Sequence, residues 1–160
     1  MRIPLLILVL AAAGFGAELN VDKTAVTDGK PAALSIHLQS GASELTGIQF
    51  EVDYDASRFD VTLEVGPAAT GAQKVLESNA LQPGKQRVLI FGFNRNRITD
   101  GVVAIAHVSL KGAPDTSQSD LVRLSKSLGT NESGETVPVT VHGGVAGSQD
   151  AQSATRGEAR

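Results

Sequence analysis

From Leu19 to His142, apolar and polar side chains take turns along the chain with a period of two. Clusters of Gly, Pro, Asn, Asp or Ser interrupt the pattern every eight to twelve residues. A strand sends successive side chains to opposite faces, so this pattern dictates half-buried β-strands and leaves little room for helix. Ile48, Phe50, Val52 and Tyr54 share one face, and Gln49, Glu51 and Asp53 share the other. Leu34, Ile36 and Leu38 alternate in the same way with Ser35, His37 and Gln39, and Val137, Val139 and Val141 repeat the pattern near the end. Two stretches are more apolar and are expected at the centre of the sheets: Arg87 to Phe93 and Val102 to Leu110. In the second, Val102, Ala104, Ala106, Val108 and Leu110 form the expected inward set, with Val103, Ile105, His107 and Ser109 outward. In the first, both faces are hydrophobic and the pattern selects neither.

Turn residues punctuate the strands at Thr27-Asp28-Gly29, Ser40-Gly41, Asp55-Ala56-Ser57, Gln82-Pro83-Gly84, Thr99-Asp100-Gly101 and Ser133-Gly134. No long segment has a 3.6-residue apolar period, although Gly71 to Ala80 has room for a short helical turn. About nine strands of this length imply an all-β fold, a sandwich of two packed antiparallel sheets, rather than a parallel α/β sheet.

The ends differ from this middle. Met1-Arg2, the apolar run Ile3 to Ala13 and the small residues up to Gly16 have the form of a secretory signal peptide, with cleavage after Ala13, Gly16 or Ala17. The apolar run is short for a membrane span. Beyond Val145 no apolar residue larger than alanine occurs, and such a segment cannot offset its ordering entropy by burial. The expected organisation is therefore a signal peptide over 1–16, a β-sandwich domain over 17–146 and a flexible tail over 147–160. Localisation is expected to be secreted, periplasmic or at the cell surface, with no membrane span after cleavage. The chain has no cysteine, so packing and ladder hydrogen bonds alone must hold an exported fold.

The side-chain chemistry argues for binding rather than catalysis. There is no cysteine nucleophile, no serine in a Gly-x-Ser-x-Gly elbow and no histidine pair at metal-ligand spacing. His37, His107 and His142 read as surface residues. Asp53, Asp55, Ser57 and Glu64 imitate part of a calcium loop, but Arg58 stands where that loop needs glycine, so neither metal nor cofactor is expected. A net charge of −3 without a basic stripe excludes a phosphate-backbone footprint, and hence nucleic acid. Sugar binding through flat aromatic platforms lacks tryptophan, and Tyr54, the single tyrosine, belongs to an inward set, leaving Phe91 or Phe93 as candidates.

Several segments, taken in order, carry a family likeness. They are Asp28-Gly29-Lys30 before an alternating strand, Gly47-Ile48-Gln49-Phe50-Glu51-Val52-Asp53-Tyr54-Asp55 followed by Phe59-Asp60-Val61, Asp100 to Ala106, and Val137-Pro138-Val139-Thr140-Val141. In these the chain resembles a cohesin domain, the receptor module of bacterial polysaccharide-degrading assemblies. The resemblance implies a nine-stranded jelly-roll sandwich whose flat outer face docks a protein partner bearing a dockerin. The partner-binding residues it implies are Gln49, Glu51, Asp53, Lys74, Glu77, Asn79, Arg87 and Asn94. Members of the best-known class carry Asn-x-Asp at the start of this strand, and Gly47-Ile48-Gln49 stands there instead. The alternatives are a structural part of the cell envelope or of a secretion or pilus apparatus, and a carbohydrate-binding module acting on polysaccharide.

Overall fold

The computed structural model describes residues 16–23, 30–112 and 121–142. The expected signal peptide, apart from Gly16, the tail beyond 146 and the turn at Thr27-Asp28-Gly29 lie outside the described residues. Nine strands and one helical turn follow in order: β1 (Ala17–Val21), β2 (Ala32–Gln39), β3 (Leu45–Asp53), β4 (Phe59–Val65), α1 (Pro67–Gly71), β5 (Val75–Gln82), β6 (Lys85–Phe91), β7 (Gly101–Leu110), β8 (Arg123–Asn131) and β9 (Thr136–His142).

Hydrogen bonding links the strands in the order β4-β7-β2-β1-β9-β8-β3-β6-β5. The sequence is folded into two layers, and β9 belongs to both. Its first part pairs with β8 through Thr136, Val137 and Pro138, and its second part pairs with β1 from Val139 to His142. The expected antiparallel sandwich is what forms, with one parallel pairing, β1–β9, among otherwise antiparallel ladders. A chain that ends beside its own first strand and in the same direction closes the layer without another hairpin.

One core fills the space between the layers. Leu19, Leu34, Ile36 and Leu38 from one layer meet Ile48, Phe50, Val52, Val88 and Ile90 from the other, all nearly or fully inaccessible. The alternation read from β2, β3 and β9 is the alternation observed. In β6, where the pattern was two-sided, Val88 and Ile90 point inward, and Leu89 and Phe91 lie half-exposed on the outer face.

Two expectations fail locally. Val103 is buried, although alternation placed it outside. His37 pairs with Val102 and Ile36 with Ala104, so Val103 is an extra residue in a β-bulge that shifts the phase of β7. The helical turn occupies Pro67–Gly71 rather than the stretch from Gly71 to Ala80, most of which is strand β5. Pro67 starts the turn with a preset φ. Gly66 caps it and donates its N–H to the carbonyl of Val103 at 2.9 Å, so the helical turn is fastened to the bulge.

A side chain at Gly66 would collide with the β7 backbone, its Cβ falling 2.4 Å from the carbonyl oxygen of Val102. Gly66→Ala is therefore expected to lower unfolding free energy by about 1–3 kcal/mol, the usual cost of overpacking. Gly71→Ala, whose Cβ meets nothing within 4 Å, is expected to be neutral or slightly stabilising. Urea unfolding of the two variants checks this, and equal effects would refute the tight bulge contact.

Candidate functional site

Every inward residue of β3 has an outward neighbour, and those neighbours lie at the centre of the layer β8-β3-β6-β5. The ladders place them in rows across the four strands. Gln49 stands between Leu128 of β8 and Leu89 of β6, and Leu89 is opposite Glu77 of β5. One row further along, Glu51 lies between Ser125 and Arg87, and Arg87 is opposite Asn79. Asp53 lies between Arg123 and Lys85. At the other end Gly47 is opposite Thr130, and Phe91 is opposite Val75.

This outer face is divided. Its apolar end carries Leu128, 39% exposed, and Val75, 52% exposed, together with Leu89 and Phe91. Phe93, just beyond β6, is fully exposed and meets Phe91 edge to face at 6.4 Å. Gly47 contributes no side chain to this end.

The other end is charged, and Glu51 organises it. The expectation that Glu51 is an exposed contact residue is corrected, since its side chain is 1% exposed. Arg87 donates to it at 2.8 Å, and the ammonium groups of Lys85 and Lys126 each lie 3.5 Å away. Burying a carboxylate is costly unless cations and hydrogen bonds surround it, and here three cations from two neighbouring strands do so. Lys126 reaches Glu51 from a bulge in β8, where its φ is +46°, a backbone conformation that side chains other than glycine rarely adopt. The hydrogen bond from Arg87 holds the carboxyl of Glu51 below its ordinary range, against the opposing effect of burial. Asp53 accepts from Ser125 Oγ at 2.6 Å and from Lys85 Nζ at 2.8 Å, and its hydrogen bond with Lys85 raises the lysine. Arg87 Nε is buried without an acceptor among the described residues.

Lys74 is also corrected as an exposed residue, and Asn94 is half-buried beside it. Lys74 is 4% exposed, and its Nζ donates to the Asn94 carbonyl at 3.0 Å and to Asn94 Oδ1 at 2.7 Å. Asn94 Nδ2 in turn donates to the Gln73 carbonyl. The pair ties the loop after β6 to the segment before β5, and burial lowers the pKa of the lysine. Sequence alternation placed Gln49 and Asp53 on the outer face, the family resemblance added Glu77, Asn79 and Arg87, and the ladders bring these five onto one surface. Alternation missed Leu128, Lys126 and Arg123 of β8, whose interrupted pattern conceals the bulge.

The opposite layer presents a different surface. Its three histidines each sit beside a carboxylate: His37 and Asp22 at 3.1 Å, His107 and Glu64 at 2.8 Å, and His142 and Glu18 at 3.5 Å. The residues that imitated a calcium loop are scattered, with Asp53 on Lys85, Asp55 on Ser57 of its own turn and Glu64 on His107. Among the described residues no cluster of three or more His, Cys, Asp or Glu is placed to hold a metal ion, and no helix is long and apolar enough to cross a membrane.

Because the folded chain keeps Glu51 charged at a pH where the unfolded chain protonates it, this group's stabilisation is complete above about 4.5, its ordinary value, and is lost as pH falls through the lowered folded value. Glu51→Gln is expected to be less stable than the parent chain at neutral pH and to lose less stability between pH 4.5 and pH 2. Parallel melting curves for the two proteins across that interval would refute the role given to Glu51.

A cohesin domain family model matches residues 17–150 of the sequence. Among curated proteins no sequence matches closely enough to count as a relative. Solved structures of low identity share the fold. The sixth cohesin of scaffoldin B from Acetivibrio cellulolyticus, solved with a Cel5 dockerin mutant, is 23% identical at a TM-score of 0.70, over 81% of this chain and 96% of its own. A cohesin from a type I cohesin–dockerin complex of Clostridium thermocellum is 16% identical at a TM-score of 0.67, over 80% and 90%. The non-cellulosomal cohesin of the archaeon Archaeoglobus fulgidus is 12% identical at a TM-score of 0.62, over 79% and 86%. The jelly-roll sandwich expected from the strand pattern and the resemblance is thus the fold these structures share, and the chain belongs to the cohesin domain family.

Proposed function

We propose that this protein is a non-catalytic docking module that receives a dockerin-like protein partner on the outer face of β8-β3-β6-β5. The observation that carries the reading is the composition of that face: exposed Leu128 and Val75 with Leu89 and Phe91 at one end, and an ordered network of charges at the other. An apolar patch bordered by directional polar groups is what protein recognition uses, the patch for affinity and the rim for register. Gln49, Asp53, Glu77, Asn79 and Arg87 border the patch with half-buried Asn94 in the loop after β6, whereas Glu51 and Lys74 serve it from beneath by holding its cations and that loop. Several of the similar cohesins were solved in complexes with dockerins, which supports a docking role.

Export through the segment 1–16 and a link to polysaccharide breakdown complete the proposal. Both rest on the sequence and on family membership. One similar structure is a non-cellulosomal cohesin, so the partner's own activity, rather than the fold, would tie this chain to polysaccharide. Phe93, a fully exposed aromatic ring, favours a second reading in which the chain itself binds sugar; that reading requires an insoluble glycan to deplete the purified chain from solution.

Capture of partners from the native secretome separates these readings. The parent chain is expected to retain a dockerin-bearing protein. Leu128→Arg is expected to reduce that capture about tenfold or more, the consequence of placing an unpaired charge in an apolar contact. Thr62→Arg, on the outer face of the other layer, is expected to leave it unchanged. Capture of no dockerin-bearing protein, or loss with Thr62→Arg instead, would refute the proposal.

A further inference from the structure

The docking face carries four cations, Lys85, Arg87, Arg123 and Lys126, against three carboxylates, Glu51, Asp53 and Glu77. Lys85, Arg87, Arg123 and Lys126 surround Glu51 and Asp53. Glu51 is already bonded to Arg87 and Asp53 to Lys85, each at 2.8 Å. Lys126, paired with Glu51 at 3.5 Å, is still 69% exposed, and Arg123 is exposed on the same strand, so both cations stand at the solvent rim of the cluster. The opposite layer has the reverse balance: Glu18, Asp60 and Glu64 are on its outer face with Asp22 at the margin, and Lys111 is paired to Asp60. On a chain of net charge −3, the local excess of cations therefore lies on the face that also carries the exposed Leu128 and Val75.

The backbone adds a second observation. Lys126 occupies a left-handed conformation, φ +46°, inside a strand bulge, at a position where glycine would be unstrained. Strain of this kind persists where the surroundings hold a side chain in place, and here it sets an ammonium group on the rim of the docking face rather than in the ladder.

Resting on the docking reading, we infer that the partner is acidic at its contact: it places an apolar ridge over Leu128, Leu89, Phe91 and Val75 and sets carboxylates against Lys126 and Arg123. Opposite charge on the rim governs the encounter rate and partner choice, and the apolar end supplies most of the contact.

Two helical peptides with the same leucine stripe, one flanked by glutamates and the other by lysines at the same positions, provide the probe. Titrated into the full chain labelled with nitrogen-15, the acidic peptide is expected to bind about tenfold or more tightly than the basic one in low salt, with shifts confined to β8, β3, β6 and β5. The gap is expected to narrow in about 0.5 M salt, where exposed charges are screened. The double variant K126Q/R123Q, with its melting temperature confirmed, is expected to bind both peptides equally, and K126E/R123E to prefer the basic one. Equal or tighter binding of the basic peptide by the parent chain overturns the inference, as does binding of neither peptide or shifts on the opposite layer. A chain that still captures a dockerin-bearing protein through Leu128 but prefers the basic peptide keeps its docking face and loses only its acidic partner.

Discussion

The register of β3 against β6 and β8 governs both the core and the surface of this protein. β3 is a central strand whose two faces both carry essential groups: Ile48, Phe50 and Val52 inside, and Gln49, Glu51 and Asp53 outside. A slip of one residue would turn Phe50 toward water and drive Glu51 into the apolar core, away from Arg87. Both consequences are costly, so the hydrophobic pattern and the ion cluster select the same register from opposite sides. The cluster thus fixes strand order and pairing as well as surface charge.

Much of this was legible in the sequence because period-two alternation is a local signal. β2, β3 and β9 buried the faces that their patterns indicated. What remained hidden depends on residues far apart in the chain. Glu51 is buried because Lys85, Arg87 and Lys126, which lie 34, 36 and 75 positions later in the sequence, converge on it. Alternation alone marks it as wet. Val103 is inside because a bulge inserts one residue into β7, and Lys126 points outward because a bulge bends β8. A bulge changes the phase of a strand without changing its composition. Lys74 is buried because the Asn94 loop folds over it, and no pattern in the segment before β5 announces that.

The two outer faces have been given different chemistry by the same fold. One couples each histidine to a carboxylate and exposes little large apolar surface. The other joins an apolar end to a cation-rich end through Gln49, and β9, paired with both β1 and β8, links the two layers. The helical turn after β4 and the Lys74–Asn94 tie brace the approach to β5, the edge strand of the layer β8-β3-β6-β5. Under the proposed docking, the contact surface lies on hydrogen-bonded strands rather than on loops, so little ordering entropy needs to be offset on binding.

Amide hydrogen exchange, recorded for the full chain free and saturated with its captured partner, tests the central claim most directly. Docking through the outer face of β8-β3-β6-β5 requires added protection in residues 75–82, 85–91 and 123–131 and little change in residues 59–65 and 101–110. Protection concentrated in the latter two segments would contradict it.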